Sequence, residues 1–376
     1  MPTWKVPLAD VVVSDADIDA VAETYRSGWL SMGPQTDAFE SDLRDYTGAA
    51  HALAVTNGTA ALHLICAAAG IGPGDEVIVP SLTFVATANA IAYTGATPVF
   101  ADIAGLDRPW LSAAATEAQI SERTAAIMTM SYGGHPGEVQ TLRALAAQRG
   151  LLLFEDAAHG IGGRTDGVHL GRVGAAGAFS FFSNKNLAIG EGGAVITDDD
   201  GLAERMRLLR SHGMTTMSWD RHRGHATGYD VVALGFNYRI DEPRAALARQ
   251  RLMRLDAETT RRAAIVGRYR ELLEPLDGVT VALPPVAGEQ PAHHLFAIVL
   301  DADRDRDGFR EALADAGIQT SMHYPPAHDF SIYRDAPRGP LPLTEAYGAR
   351  TVTLPLFAHM TTAQQDAVVA AALAAL

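Results

Sequence analysis

The chain predicts an α/β protein: a large domain with a mostly parallel, seven-stranded sheet between helices, followed by a smaller C-terminal α/β domain. Three observations carry this. Seven short apolar runs recur through the first two hundred residues, stretches of helical period separate them, and the texture changes after Asp241. Short continuous apolar strands alternating with helices indicate a parallel sheet buried on both faces. A chain of 376 residues also exceeds one average domain.

In order, the strands are Ala52–Val55, Glu76–Pro80, Thr97–Ala101, Ala125–Met130, Leu151–Glu155, Ala178–Phe182 and Ala194–Thr197. Helical patterns fall at Ala60–Ala69, Leu142–Arg149 and Leu202–His212. From Pro243 to about Leu273 the spacing of Leu247, Leu252, Leu255 and Ile265 predicts one long helix. A Pro/Gly-rich stretch (Leu283–Pro291), a strand (Leu295–Leu300), a helix (Asp307–Ala316), a strand (Ile318–Met322) and a helix from Thr361 follow. The boundary is expected near residue 248, giving a large domain of 1–248 with an N-terminal arm and a small one of 249–376.

Composition narrows the function classes. The formal net charge of −14 argues against a nucleic-acid surface. No apolar run approaches the ~20 residues needed to cross a bilayer. The opening Met-Pro-Thr-Trp-Lys-Val-Pro has no signal-peptide pattern, and the one cysteine, Cys66, permits no internal disulfide, so a cytoplasmic protein is expected. Histidines lack the carboxylate or cysteine pattern of a metal site, and none is expected. The 30 basic residues include only two lysines, Lys5 and Lys185. Arginine stays protonated, so any amine chemistry must use one of these two.

Ligands of open α/β sheets sit beyond the carboxyl ends of the strands. After Ala52–Val55 comes Thr56-Asn57-Gly58-Thr59 and a helix start, a suitable seat for a phosphate; an ordinary cap at Thr59 is the alternative. After Leu151–Glu155 comes Asp156, which could face a protonated ring nitrogen or cap a helix. After Ala178–Phe182 comes Ser183-Asn184-Lys185, with Ser180 five residues before the lysine and glycines after it. A lysine desolvated there has a lowered pKa and a nucleophilic amine; a solvated surface lysine is the alternative. Phosphate seat, acid and lysine together suit pyridoxal phosphate, and Phe84 could stack on its ring or belong to the core.

These residues sit in a longer series: Gly28-Trp29-Leu30, Thr56–Leu62, Gly72–Val77, Pro80–Thr87, Glu155–His159, Phe179–Phe181, Lys185–Leu187, Gly192–Ala194, Arg210–Gly213, Gly235–Arg239 with Asp241-Glu242, and His323-Tyr324-Pro325. In this order the chain resembles the DegT/DnrJ/EryC1/StrS family of sugar aminotransferases, fold-type I pyridoxal-phosphate transferases, over nearly its whole length. The resemblance implies that Lys185 carries the cofactor as a Schiff base and that Asp156 faces the pyridine nitrogen. It implies further that His159 reaches the phenolic oxygen, that Gly58, Thr59 and Ser180 hold the phosphate, and that Phe84 stacks on the ring. Asn237 matches a residue that reaches the neighbouring subunit's phosphate, implying a homodimer with shared sites. Two segments depart from the family pattern, Ser183-Asn184 before the lysine and Ser131–His135, and both bear on substrate identity.

The implied reaction is transamination from L-glutamate or L-glutamine, through pyridoxamine phosphate, to a nucleotide-linked keto sugar. A TDP-4-keto-6-deoxyhexose comes first and a 3-keto sugar second. The cationic Arg221-His222-Arg223 run could meet the pyrophosphate or be a solvated loop, and His323 and Tyr324 could line the sugar pocket or form a turn before Pro325. Competing expectations are an aminotransferase or β/γ-eliminating enzyme acting on amino acids, and a non-catalytic regulator on the same scaffold. A dinucleotide-dependent oxidoreductase is weaker still, since no Gly-x-Gly-x-x-Gly follows the first strand.

Overall fold

The computed structural model describes residues 4–216 and 228–376. Its main sheet has seven strands: β1 (His51–Val55), β2 (Glu76–Pro80), β3 (Thr97–Ala101), β4 (Thr124–Met130), β5 (Leu152–Asp156), β8 (Ala176–Ser180) and β9 (Gly193–Thr197). Between β5 and β8 lie the two-residue strands β6 (Arg164–Thr165) and β7 (Val168–His169). The order across the main sheet is β1-β9-β8-β5-β4-β2-β3. The pairs β3–β2, β2–β4, β4–β5 and β5–β8 are parallel; β9 runs antiparallel between β8 and β1. Each of the seven strands expected for this sheet is therefore present, with Ala178–Phe182 beginning at Ala176 and ending at Ser180. The carboxyl ends of β1, β2, β4, β5 and β8 share one edge.

Two glycines let the chain close at that edge. A Cβ on Gly193 would lie 2.6 Å from the backbone of Asn57, and one on Gly58 would lie 2.8 Å from Ser180 Cβ. Only glycine permits so close an approach. The turn after β1 is thereby held against the end of β8.

The remaining strands are β10 (Val279–Val281), β11 (Glu289–Gln290), β12 (Phe296–Leu300) and β13 (Thr351–Leu354). β10, β12 and β13 form an antiparallel sheet, and β11 joins β6 and β7. Two large apolar cores follow. One gathers Leu53, Val79, Phe100 and Phe154 around the main sheet, and another gathers Tyr269, Phe296, Leu354 and Val368 around the three-stranded one.

The structure corrects three expectations. The long helix is two, Glu242–Leu252 and Leu255–Leu273. The break falls where Met253 is exposed and the Arg254 guanidinium turns to Asp17 of the helix Asp15–Ser27, donating at 2.7 and 3.0 Å. Asp256 and Glu258 then start the new helix, favourable against its N-terminal dipole. Ile318–Met322 forms isolated bridges from Ile318 to Val6 and Ser321 to Thr353, because a different neighbour meets each end. The helix after β1 is capped by Asn57, whose Oδ1 accepts from Ala60 N at 2.8 Å, and Thr59 lies inside it.

Glu242, 2% exposed, anchors the N-terminal arm. Its carboxylate accepts from the N–H groups of Gly33 (2.8 Å), Gln35 (2.7 Å) and Thr36 (2.9 Å) and from the Thr36 hydroxyl (2.7 Å). The helix Pro34–Thr47 has no side-chain cap of its own, so this distant carboxylate serves as one. Glu242→Ala would strand these donors and is expected to cost about 3 kcal/mol in chemical denaturation. A midpoint within error of wild type would refute that role.

Candidate active site

A cavity of about 630 Å³ opens at the shared strand edge. Gly58 and Thr59 reach it from β1, Phe84 from β2, Asp156, Ala158 and His159 from β5, and Ser180, Asn184 and Lys185 from β8. Tyr238, and His323 and Tyr324 from the C-terminal part, complete the wall. The fold thus brings together residues that lie more than two hundred positions apart.

At the start of the helix Gly58–Ala68, Asn57 occupies the N–H groups of Ala60 and Ala61. Those of Gly58 and Thr59 remain at the open helix end beside the Ser180 hydroxyl, an arrangement suited to a phosphate. On the other side, Asp156 is 2% exposed. It accepts from the Thr87 hydroxyl at 2.6 Å and from Ala158 N at 3.1 Å. No helix follows Asp156, which removes the capping alternative. Burial pushes its carboxyl upward in pKa, against Thr87, the Ala158 N–H and the charge of Lys185. A buried acid so placed is stabilised as carboxylate by a cation set against it.

Lys185 is partly buried, which overturns the solvated alternative. Burial draws its ammonium down to about 8, while Asp156 pulls the other way. The amine is therefore substantially neutral in mildly basic solution. His159, 2% exposed, accepts from Gly133 N at Nδ1 (3.3 Å) and faces the Tyr324 hydroxyl with Nε2 (2.9 Å). Nδ1 as acceptor puts the proton on Nε2, which donates to Tyr324. Burial holds His159 well below the ordinary histidine range, so it is neutral. His323 meets Thr353 Oγ1 at 2.9 Å and is likewise drawn down, to about 4, by burial. The Phe84 ring, exposed and 5.8 Å from that of Tyr324, belongs to the cavity rather than the core.

Two expectations lie elsewhere. Asn237 is exposed, bridges to Ser211 through its backbone and does not line this chain's cavity. Arg221 and Arg223 lie outside the described residues. Among the described residues, no three His, Cys, Asp or Glu side chains group to hold a metal ion, and no helix is long and apolar enough to cross a membrane. Thr87 and Tyr238 were not anticipated. Thr87 ends the Pro80–Thr87 segment, three residues past Phe84, and Tyr238 lies in the Gly235–Arg239 segment, but neither had been given a role.

The donor set fits pyridoxal phosphate in each of its parts: amide and hydroxyl donors for the phosphate, a buried acid for the ring nitrogen, a neutral imidazole for the phenolic oxygen and a depressed lysine for the aldehyde. The cofactor-free protein should therefore capture added aldehyde faster as pH rises, with a midpoint near 8. Stopped-flow absorbance reads this, and a midpoint near 10.5, the ordinary lysine value, would contradict the burial of Lys185.

Residues 12–373 match the model of the DegT/DnrJ/EryC1/StrS aminotransferase family. Among solved structures, the aminotransferase TlmJ from Streptoalloteichus hindustanus is 32% identical, with 98% of each chain covered and a TM-score of 0.92. DesV from S. venezuelae is 36% identical, with 96% of this chain and 94% of that one covered and a TM-score of 0.88. Spr1654 from Streptococcus pneumoniae, assigned as a sugar aminotransferase, is 25% identical in its PLP form, with 99% of each chain covered and a TM-score of 0.90; a PMP form is solved too.

Proposed function

Because the chain belongs to the DegT/DnrJ/EryC1/StrS aminotransferase family, a pyridoxal-phosphate family, we propose that it moves an amino group from L-glutamate or L-glutamine to a nucleotide-linked keto sugar. The preferred acceptor is a TDP-4-keto-6-deoxyhexose, in amino-deoxysugar synthesis. The observation that carries this reading is the meeting of Lys185, Asp156 and the Gly58–Thr59–Ser180 seat in one 630 Å³ cavity. That volume lies within the ~300–1,000 Å³ of small-molecule sites and leaves room for a substrate beside a cofactor.

Bound pyridoxal phosphate supplies an electron sink and an amine carrier. The chain's residues do the rest. Gly58, Thr59 and Ser180 anchor the phosphate, and Phe84 covers the ring. Asp156, held by Thr87, keeps the ring nitrogen protonated. His159, oriented by Gly133, would face the phenolic oxygen with Nε2, whose proton would turn from the Tyr324 hydroxyl to that oxygen. With the cofactor in place, Lys185 Nζ would serve as the base that takes the proton from the substrate carbon and then as the acid that gives it back. Its pKa near 8 suits both directions near neutral pH. His323 and Tyr324 bound the space for the sugar.

The exposed position of Asn237, off its own chain's cavity, supports a homodimer in which it reaches the second site. We place the boundary between a cofactor-binding domain (1–248) and a small domain (249–376) inside the broken helix. The change of core falls a few residues later than 248, since Leu252 and Leu255 still pack with Phe39 and Phe181 and Ile265 packs with Phe296. A cytoplasmic setting accords with a single free cysteine.

The first experiment is the visible spectrum of the pyridoxal-phosphate-loaded protein before and after L-glutamate, followed by a screen of nucleotide keto sugars. A yellow band that bleaches with glutamate and returns with a keto sugar is expected. A band indifferent to glutamate and glutamine would turn the reading toward another donor or elimination chemistry; no band would overturn it. Arg221→Gln with Arg223→Gln should raise the KM for nucleotide sugar about tenfold and leave that for glutamate unchanged. An unchanged sugar KM would remove this run from the site.

A further inference from the structure

Lys185 lines a second cavity, of about 220 Å³, on which the reading above places no demand. Among the described residues it is the one that the linings of the two cavities share. The wall of the second is cationic: Arg251, Arg254, Arg261 and Arg262, against Asp10 and Glu258. Most of these charges are matched. Arg254 pairs with Asp17 (2.7 Å) and Glu258 (3.0 Å), Arg251 reaches Asp17 at 3.4 Å, and His359 meets Asp10 at 3.0 Å.

Arg262 is different. It is 6% exposed, yet among the described residues it bonds only from Nη1 to the Leu356 carbonyl at 3.2 Å, and its Nε finds no partner there. Among the described residues, neither Arg262 nor the exposed Arg261 beside it has a carboxylate within ion-pairing distance. Glu258, one turn earlier, acts on Arg262 only through space, and burial draws that guanidinium down to about 10. A buried charge without a counter-ion is costly, and an anion in the cavity relieves it. An outer cavity of about 540 Å³ shares Arg261, Ala358 and His359 with this one and opens toward the surface.

We infer that this second cavity is a carboxylate subsite for the amino donor, with Arg262 as its principal anchor and Arg261 at its outer rim. Size favours this occupant: 220 Å³ is below the ~300 Å³ at which drug-sized sites begin, too small for a nucleotide sugar and adequate for the side chain and carboxylate of a short amino acid. Position favours it too, since an amino acid held there presents its amine beside the Lys185 amine it displaces. The donor thus has its own recognition surface, apart from the one that recognises the sugar. The inference rests on the transamination reading and adds the donor's site to it.

The test uses glutarate, a dicarboxylate with no amine to transfer, titrated calorimetrically into the pyridoxal-phosphate-loaded enzyme. Wild type should bind it, in competition with L-glutamate and not with nucleotide sugar. Arg262→Gln should weaken it at least tenfold, as loss of a charge-assisted bond implies, and raise the KM for glutamate with the KM for keto sugar unchanged. Equal glutarate affinity in a folded Arg262→Gln protein overturns the inference. So does wild-type protein that ignores glutarate, or that binds inorganic phosphate there in its place. Should Arg262→Gln not fold, Arg261→Gln on the exposed rim decides: a threefold or greater loss supports the subsite, and no loss overturns it. Failure of the transamination reading shows separately, as a yellow band that L-glutamate leaves intact.

Discussion

Lys185→Ala is expected to abolish turnover, by a factor of about 10⁴ or more, while the protein stays folded. Positioned acid–base transfer alone contributes roughly 10²–10⁴ in rate, and the covalent hold on the cofactor is lost with it. Nothing else in the chain can substitute. The 28 arginines cannot act as neutral amines, and Lys5 sits at the far end of the chain, its backbone bonded to Gly317. Lys185→Arg should fail equally, which separates loss of the amine from loss of a positive charge. The check is kcat with L-glutamate and a nucleotide keto sugar, alongside the visible spectrum. A variant without the lysine that turned over at the wild-type rate would dismiss the whole chemical assignment.

Asp156→Asn should be next in severity, lowering kcat by roughly 10²–10³, the usual effect of removing one preorganised electrostatic partner from a buried site. The amide preserves shape and can still accept from Thr87, but it cannot hold a protonated ring nitrogen. The substitution carries a second signature. Asp156 holds the Lys185 pKa up against desolvation, so without it the midpoint for aldehyde capture should fall below 8. The sign is fixed: removing a nearby negative charge favours the neutral amine, and the profile moves to lower pH. Thr87→Val leaves the carboxylate in place and should cost about tenfold or less. If Asp156→Asn matched wild type in both rate and pH profile, Asp156 would not face the ring.

The fold was legible where burial is uniform. All seven strands of the main sheet show as apolar runs because both faces of a parallel sheet are covered. Legibility falls where neighbours are distant and few. β10 is half exposed, with Thr280 facing solvent, and gave no apolar run. Ile318–Met322 has the composition of a strand but only single bridges. The break at Met253–Arg254 depends on Asp17, more than two hundred residues away, and no local pattern announces it. The site divides likewise. Residues that follow a strand, namely Gly58, Asp156 and Lys185, could be placed from topology. Glu242 as a helix cap and Arg262 as a buried cation could not, because a glutamate or arginine on a helix reads as solvated until its surroundings are known. The histidines near the cavity carried little information in sequence and became interpretable only through their partners.

The scarcity of lysine has a practical consequence. Borohydride reduction of the cofactor-bound protein would fix a tag on one side chain, leaving Lys5 as the only other lysine amine open to reagents. Trypsin does not cut after a modified lysine, and the nearest arginines are Arg172 and Arg205. A tagged molecule therefore yields a single peptide, 173–205, and an untagged one yields two, divided at Lys185. Their ratio in a mass spectrum counts occupied sites directly, so cofactor stoichiometry could be measured in crude extract without an assay, a substrate or a purified enzyme.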